Sequence, residues 1–452
     1  MEQIDGSSAG IAFAVVYFTF FLDNVLLTVL VPIIPDWVRG EALSLWAQHG
    51  APLAGMLNVT VQQATEDAGN GIGTSQAIVG AVLSAKAAVQ LAAAPTAAAY
   101  TARAGPAAGL RVATALLAAA AAAFSWCGRG TGGAACAGVA RATQGAGAAL
   151  AGVAGVALVA RALPPAARHR ALAALLGAVA LGVLVGYPFG GAAYKLWSPV
   201  APFQLILVAL LFSLLVQYLF LDKEQYNRGT EMAEGGALSA VWGAGRGVAG
   251  ACAGAVLLTT SVMAALEPCL PLWIIGKFHP ERWALGVVFI PDSAGYLLAT
   301  STLGGVARRL GAERVALTGQ LAVGVAALVL PHATSVPLVG VAQGVLGAGL
   351  GATDAALLPA LLARTGGQLP RAALLQAAAS AAYAAGPIVG GVISWGWGFE
   401  SALRTFGVAN LLYAAYLYRA LRADPLSEQW GASVSEDESD TGEELTPLGQ
   451  TR

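Results

Sequence analysis

Six ionisable side chains sit inside stretches otherwise apolar enough to cross a bilayer: Asp23, Lys86, Arg141, Glu267, Asp292 and Asp354. A carboxylate at the middle of a bilayer costs about 2.5–3.5 kcal/mol on insertion scales, so it normally faces a cavity, a partner or a substrate. Asp23, followed by Asn24, interrupts an almost wholly apolar run from Gly10 to Ile34. One reading is a structural residue bonded to a neighbouring helix; the other is a cation or proton site inside a transporter. A cationic substrate needs a carboxylate and aromatic faces in a dry cavity. A proton-driven exchanger also needs a carboxylate that takes up a proton from an acidic compartment, which burial favours. One set of carboxylates can meet both demands, because proton and cation then compete for the same charge.

Other chemistries find little support. The four cysteines (Cys127, Cys136, Cys252, Cys269) lack paired metal spacing, and the four histidines fall in predicted loops, so neither a metal nor any other cofactor is expected. Gly347–Gly351 (GAGLG) follows no predicted strand, which excludes a dinucleotide site. No nucleophile–base pair can be assembled, so the chain does not read as an enzyme. A net charge of −1 gives no basis for a nucleic-acid partner.

The elements that position these residues are membrane spans. With 57% hydrophobic and 11% charged residues, the chain reads as an all-α membrane protein embedded in a lipid bilayer. Apolar segments recur at about 10–34, 76–98, 107–126, 134–160, 171–193 and 200–221, and again at about 246–275, 284–306, 314–331, 336–362, 371–394 and 400–420. That predicts twelve transmembrane helices in two six-helix halves, 10–221 and 246–421, joined by a polar linker over 222–245. Residues 1–9 and the acidic tail 422–452 flank them. The first segment is too long for a cleaved signal core and should remain as helix 1.

With the amino terminus in the cytosol, sixteen Lys/Arg fall on the cytosolic side and six on the far side. The positive-inside rule then predicts that both termini are cytosolic. The longest far-side loop, about 35–75, holds the glycosylation sequon at Asn58.

Tyr100–Gly105 after helix 2 and Gly305–Gly311 after helix 8 place a basic residue and a glycine at matching points of the two halves. Helix 5 ends in Gly182–Gly191 (GVLVGYPFGG), whose glycines suit close helix packing. These stretches resemble the cytoplasmic signature and the antiporter motif of the major facilitator superfamily. The resemblance narrows through LDNVLLTVLVPIIPDW in helix 1, SAKAAVQL (Ser84–Leu91), ARATQGAG (Ala140–Gly147), LEPCLPLW (Leu266–Trp273), Gly351–Asp354 with Leu357–Pro359, and YAAGPIVGG (Tyr383–Gly391). Together they make the chain similar to the vesicular amine transporters, the family of vesicular monoamine and acetylcholine proton antiporters, from about Gly10 to Arg422.

The resemblance implies a major facilitator fold of two six-helix halves and a role for each buried charge. Asp23 with Asn24 would contact a substrate ammonium, and Glu267 would be a second contact that also takes part in proton coupling. Tyr296 and Tyr383 would line the site, against the alternative that they are packed helix residues. Asp354 would be the main proton-linked carboxylate. Lys86, Arg141, Gln376 and Asp292 would form a charge network. Gln376 stands where the family carries an aspartate that pairs with the helix-2 lysine, and Asp292 stands where a small residue is usual. Lys86 should therefore have found another counter-charge, with Asp354 preferred over Asp292. The loops after helices 1 and 7 contain no cysteine, so the family's bridge between them is missing.

The implied activity is exchange of lumenal protons for a small cationic amine, a monoamine by preference, across the membrane of secretory or synaptic vesicles. The alternatives are an acetylcholine, polyamine or broad organic-cation proton antiporter, or a transport-inactive relative acting as an interaction protein.

Overall fold

The structure is a computed structural model that describes residues 6–31, 33, 61–127, 133–163, 165–198, 200–221, 247–279, 284–364 and 369–426. The sequon at Asn58, the 222–245 linker and most of the tail lie outside these residues. Among them, twelve long helices follow one another. The first half comprises α1 (Gly6–Val29), α2 (Val61–Ala104), α3 (Pro106–Cys127), α4 (Gly133–Ala162), α5 (Pro165–Leu196) and α6 (Ala201–Phe220). The second comprises α7 (Val248–Phe278), α8 (Ile290–Leu310), α9 (Ala312–Val329), α10 (Val336–Arg364), α11 (Leu369–Trp397) and α12 (Phe399–Ala423).

Ten of these helices contain a run long and apolar enough to cross a bilayer; in α5 the described apolar run is Gly177–Ala193. The remaining helix, α12, carries Glu400, Arg404, Arg419 and Arg422 near its ends. An even number of crossings brings Gly6 and Ala423 to one face of the bundle, here the terminal face. Exposed aromatics mark both interfaces, where amphipathic rings prefer to sit. Trp126, Trp197, Trp395 and Trp397 ring the opposite face, and Tyr100, Tyr218, Phe220 and Tyr416 ring the terminal face.

Two helices depart from their apolar patterns. α2 starts at Val61 and so continues outward through much of the stretch read as the far-side loop. The segment predicted over 284–306 is broken: a single turn, Ala284–Val287, precedes α8, with Val288 and Phe289 between them. Pro291 explains the restart, since a residue without an N–H fits the first turn of a helix but not its interior.

Helix pairing repeats between the halves. α2 packs on α4, α3 on α4, α1 on α5 and α3 on α6; in the second half α8 packs on α10, α9 on α10, α7 on α11 and α9 on α12. Small residues permit this closeness. A Cβ on Gly182, Gly186 or Gly190 of α5 would run into α1, and one on Gly386 or Gly390 of α11 would run into α7. The polar contacts repeat as well: Gln217 on α6 donates to Thr114 on α3, and Gln320 on α9 donates to Asn410 on α12.

The halves meet where α11 and α7 lie on α2, and where α5 meets α8 and the turn before it. Gly80 fits against the carbonyl of Pro387, and Gly286 against the carbonyl of Tyr187. Both contacts lie toward the opposite face. A disulfide between Cys127 and Cys136 ties α3 to α4 on that face.

Candidate functional site

α1 delivers Asp23 into the first half, 8% exposed. Its Oδ2 accepts from Lys86 Nζ at 3.0 Å, and its Oδ1 accepts from Gln144 Nε2 at 2.9 Å. Gln144 turns its own amide oxygen to Arg141 Nη1 at 3.0 Å, while Arg141 Nη2 donates to the carbonyl of Leu27 at 2.8 Å. Three helices thus supply one buried network, with Arg141 and Gln144 fully enclosed. The local sequence explains the geometry. Gly145 lets α4 lie directly on the backbone of α2 at Lys86, and Arg141 and Gln144, three residues apart, share a face of α4.

This corrects the expected partner of Lys86, which is Asp23 and neither Asp354 nor Asp292. α2 and α1 belong to the same half, and packing of α4 holds the ammonium at the helix-1 carboxylate. Asp354 has its own neighbour in the other half. Gln376 lies on α11, but its side chain is outside the described residues. Asn24 turns back on its helix, donating to the carbonyl of Phe20 at 2.8 Å.

The second half contributes three carboxylates and two phenols, and the first half adds a third phenol, Tyr187. Glu267, on α7, is 5% exposed and accepts from the hydroxyl of Tyr187, on α5, at 3.1 Å. Asp354, on α10, accepts from the hydroxyl of Tyr296, on α8, at 3.1 Å. Asp292 is 5% exposed, and its Oδ1 has no hydrogen-bond partner among the described residues. Gly347 brings α10 against the backbone of this turn of α8, which explains why the carboxylate is so enclosed. Tyr383, on α11, is half-buried and within electrostatic reach of Glu267, Asp292 and Asp354. Arg141 and Lys86 in turn feel Glu267 across the interface between the halves.

The two groups of charges therefore face each other, one pre-neutralised by Lys86 and Arg141 and the other held by phenols. Such an arrangement can receive a cation, since each phenol–carboxylate bond can exchange for an ammonium–carboxylate contact at similar distance. Two participants escaped the sequence reading. Gln144 was recoverable from its i+3 spacing to Arg141, whereas nothing local in GVLVGYPFGG singles out Tyr187.

Comparison with known proteins agrees with this build. Over 306 residues the chain is 32% identical to the chromaffin granule amine transporter of Homo sapiens, a match covering 66% of this chain and 57% of that protein. Over 296 residues it is 28% identical to the vesicular acetylcholine transporter of Drosophila melanogaster, covering 63% and 50%. The chain thus matches little more than half the length of these relatives. In three dimensions it is similar to a bacterial homolog of the human lysosomal transporter Spinster, solved in an inward-facing and occupied conformation. There the TM-score is 0.67 and the identity 13%, with 93% of this chain and 98% of that chain covered, a likeness of fold. Residues 13–290 match the sequence profile of the Major Facilitator Superfamily, and the chain belongs to that superfamily.

Proposed function

We propose that the protein is a proton-coupled antiporter that loads a small cationic amine, a monoamine by preference, from the cytosol into acidic vesicles. The observation that carries this reading is the ion pair at the centre of the first half. Lys86 Nζ, itself an alkylammonium, sits 3.0 Å from Asp23 in a buried position. A substrate ammonium is the same chemical group, so the helix-1 carboxylate is already arranged for one. Glu267, Asp354, Tyr296 and Tyr383 offer further charge and ring faces from the other half, which suits an aromatic amine.

Coupling follows from competition. A proton on Asp354 or Glu267 removes the charge that attracts the amine, and release of that proton restores it. Similarity to amine and acetylcholine transporters supports the substrate class, and the likeness to an acetylcholine transporter keeps an acetylcholine-type cation as the second reading. The disulfide supports placing the opposite face in the lumen, because an oxidising compartment stabilises such bonds. The terminal face would then be cytosolic.

The test is a substrate panel in proteoliposomes with an acidic interior. Serotonin and dopamine should accumulate above acetylcholine and spermidine, and nigericin should abolish accumulation. Equal uptake with and without the proton gradient would remove proton coupling from the account.

A further inference from the structure

We propose that Tyr187 is a positioning residue that ties amine occupancy of Glu267 to opening of the opposite face, an inference that rests on the transport reading above. α5 is seated on α1 through Gly182, Gly186 and Gly190, where any Cβ would meet Phe21, Val25, Thr28 or Val29. The two helices therefore move as one body carrying both Asp23 and Tyr187.

Tyr187 reaches the other half in three ways. Its hydroxyl donates to Glu267 Oε1 at 3.1 Å, and its ring stacks on Phe289 with centroids 4.7 Å apart and planes at 14°. Its main-chain carbonyl packs on Gly286. The side chain is 2% exposed, so water does not compete for the bond.

Both ends of that hydrogen bond precede a proline inside a helix: Tyr187 precedes Pro188 in α5, and Glu267 precedes Pro268 in α7. A proline within a helix removes one backbone bond and lets the helix bend there. The contact accordingly joins the two helices at the points where each can flex. The break before α8 is what presents Phe289 to the ring.

The phenol and an incoming ammonium use the same carboxylate oxygen. An amine that binds Glu267 Oε1 displaces the hydroxyl, leaving the stack on Phe289 and the packing at Gly286 to hold α5 against α8. A ligand shifts a conformational equilibrium only by binding one state better than the other. Here the differential is the hydrogen bond that the amine replaces in the closed state and that is already absent in the open one.

The experiment reads opening directly. Leu285, 4% exposed in the turn before α8, is replaced by cysteine in the full chain, purified in detergent, and its labelling by a maleimide is timed against the parent chain. Tyr187→Phe keeps the ring and its stack, and should speed labelling about tenfold, the order expected from one lost bond to a charged group. Glu267→Ala should give a similar increase, and the double variant no more than either alone, as one shared interaction requires. Serotonin at saturating concentration should speed labelling of the L285C chain and leave Y187F/L285C unchanged. Labelling of Y187F/L285C at the parental rate, or multiplicative effects of the two substitutions, would overturn the role. So would serotonin that is transported by the same preparation without changing labelling. A preparation that moves no amine refutes the transport reading instead, and the mutant cycle still decides on Tyr187.

Discussion

At the scale of single residues, the site is a problem of buried charge. Lys86 and Asp23 neutralise each other at 3.0 Å, and Gln144 fills the other oxygen of the carboxylate. Removing one member of a buried pair leaves an uncompensated charge and costs about 3–5 kcal/mol, far more than the pair itself contributes. Asp23→Asn should therefore abolish amine uptake and also lower the melting temperature of the purified protein. The double variant Asp23→Asn, Lys86→Met should regain much of the stability and none of the uptake. Equal melting of Asp23→Asn and the parent would mean that Lys86 is compensated elsewhere. Asp354 makes a different case, since its observed partner is the neutral hydroxyl of Tyr296. Asp354→Asn preserves an acceptor for that hydroxyl and removes the charge, so the variant should bind amine more weakly and no longer concentrate it under a proton gradient. Concentration at the parental level would shift the proton role to Glu267 or Asp292. The identities of these charges were legible in the sequence because ionisable residues stand out in apolar runs. Their pairing was not. Which of four carboxylates meets Lys86 depends on how α1, α2 and α4 are rotated against one another, and a rotation of one residue turns a side chain by about 100°.

At the scale of elements, glycine decides how closely the charged helices approach. α10 lies on α8 with Gly347 against the backbone of Asp292 and Gly351 against that of Tyr296. A methyl group at 347 would collide with a main-chain carbonyl, which cannot move aside as a flexible side chain can. Gly347→Ala should therefore cost about 1–3 kcal/mol through overpacking, seen as a lower melting temperature in detergent. It should also disturb the carboxylates on both sides of the contact; unchanged melting and uptake would show that the α8–α10 interface has slack. The spans themselves were readable from hydropathy, including their grouping by six. Helix ends were less so, because α2 runs past its apolar segment into polar residues, and the break before α8 is set by Pro291 and by packing on α5. The Cys127–Cys136 disulfide likewise depends on α3 and α4 ending side by side, which spacing alone does not specify.

At the scale of the whole molecule, two similarly paired halves enclose one set of charges. Among the contacts between them, Gly80 with Pro387 and Tyr187 with Gly286 and Phe289 lie toward the opposite face. If the terminal face is cytosolic, this arrangement suits loading from the cytosol, and release into the lumen requires those contacts to part. The carboxylates are divided between the halves, Asp23 in one and Glu267, Asp292 and Asp354 in the other, so on the proposed reading an amine between them would touch both halves. Exchange is then the central claim: the charge that an amine leaves behind must be taken by protons before the empty carrier returns. The most direct measurement records both flows at once, in proteoliposomes that hold a pH indicator inside an acidic lumen while labelled serotonin is added outside. The account predicts that serotonin entry is accompanied by proton exit above the leak, at a fixed ratio across serotonin concentrations, and that both flows vanish in Asp23→Asn. Serotonin entry with no accompanying proton movement would contradict it.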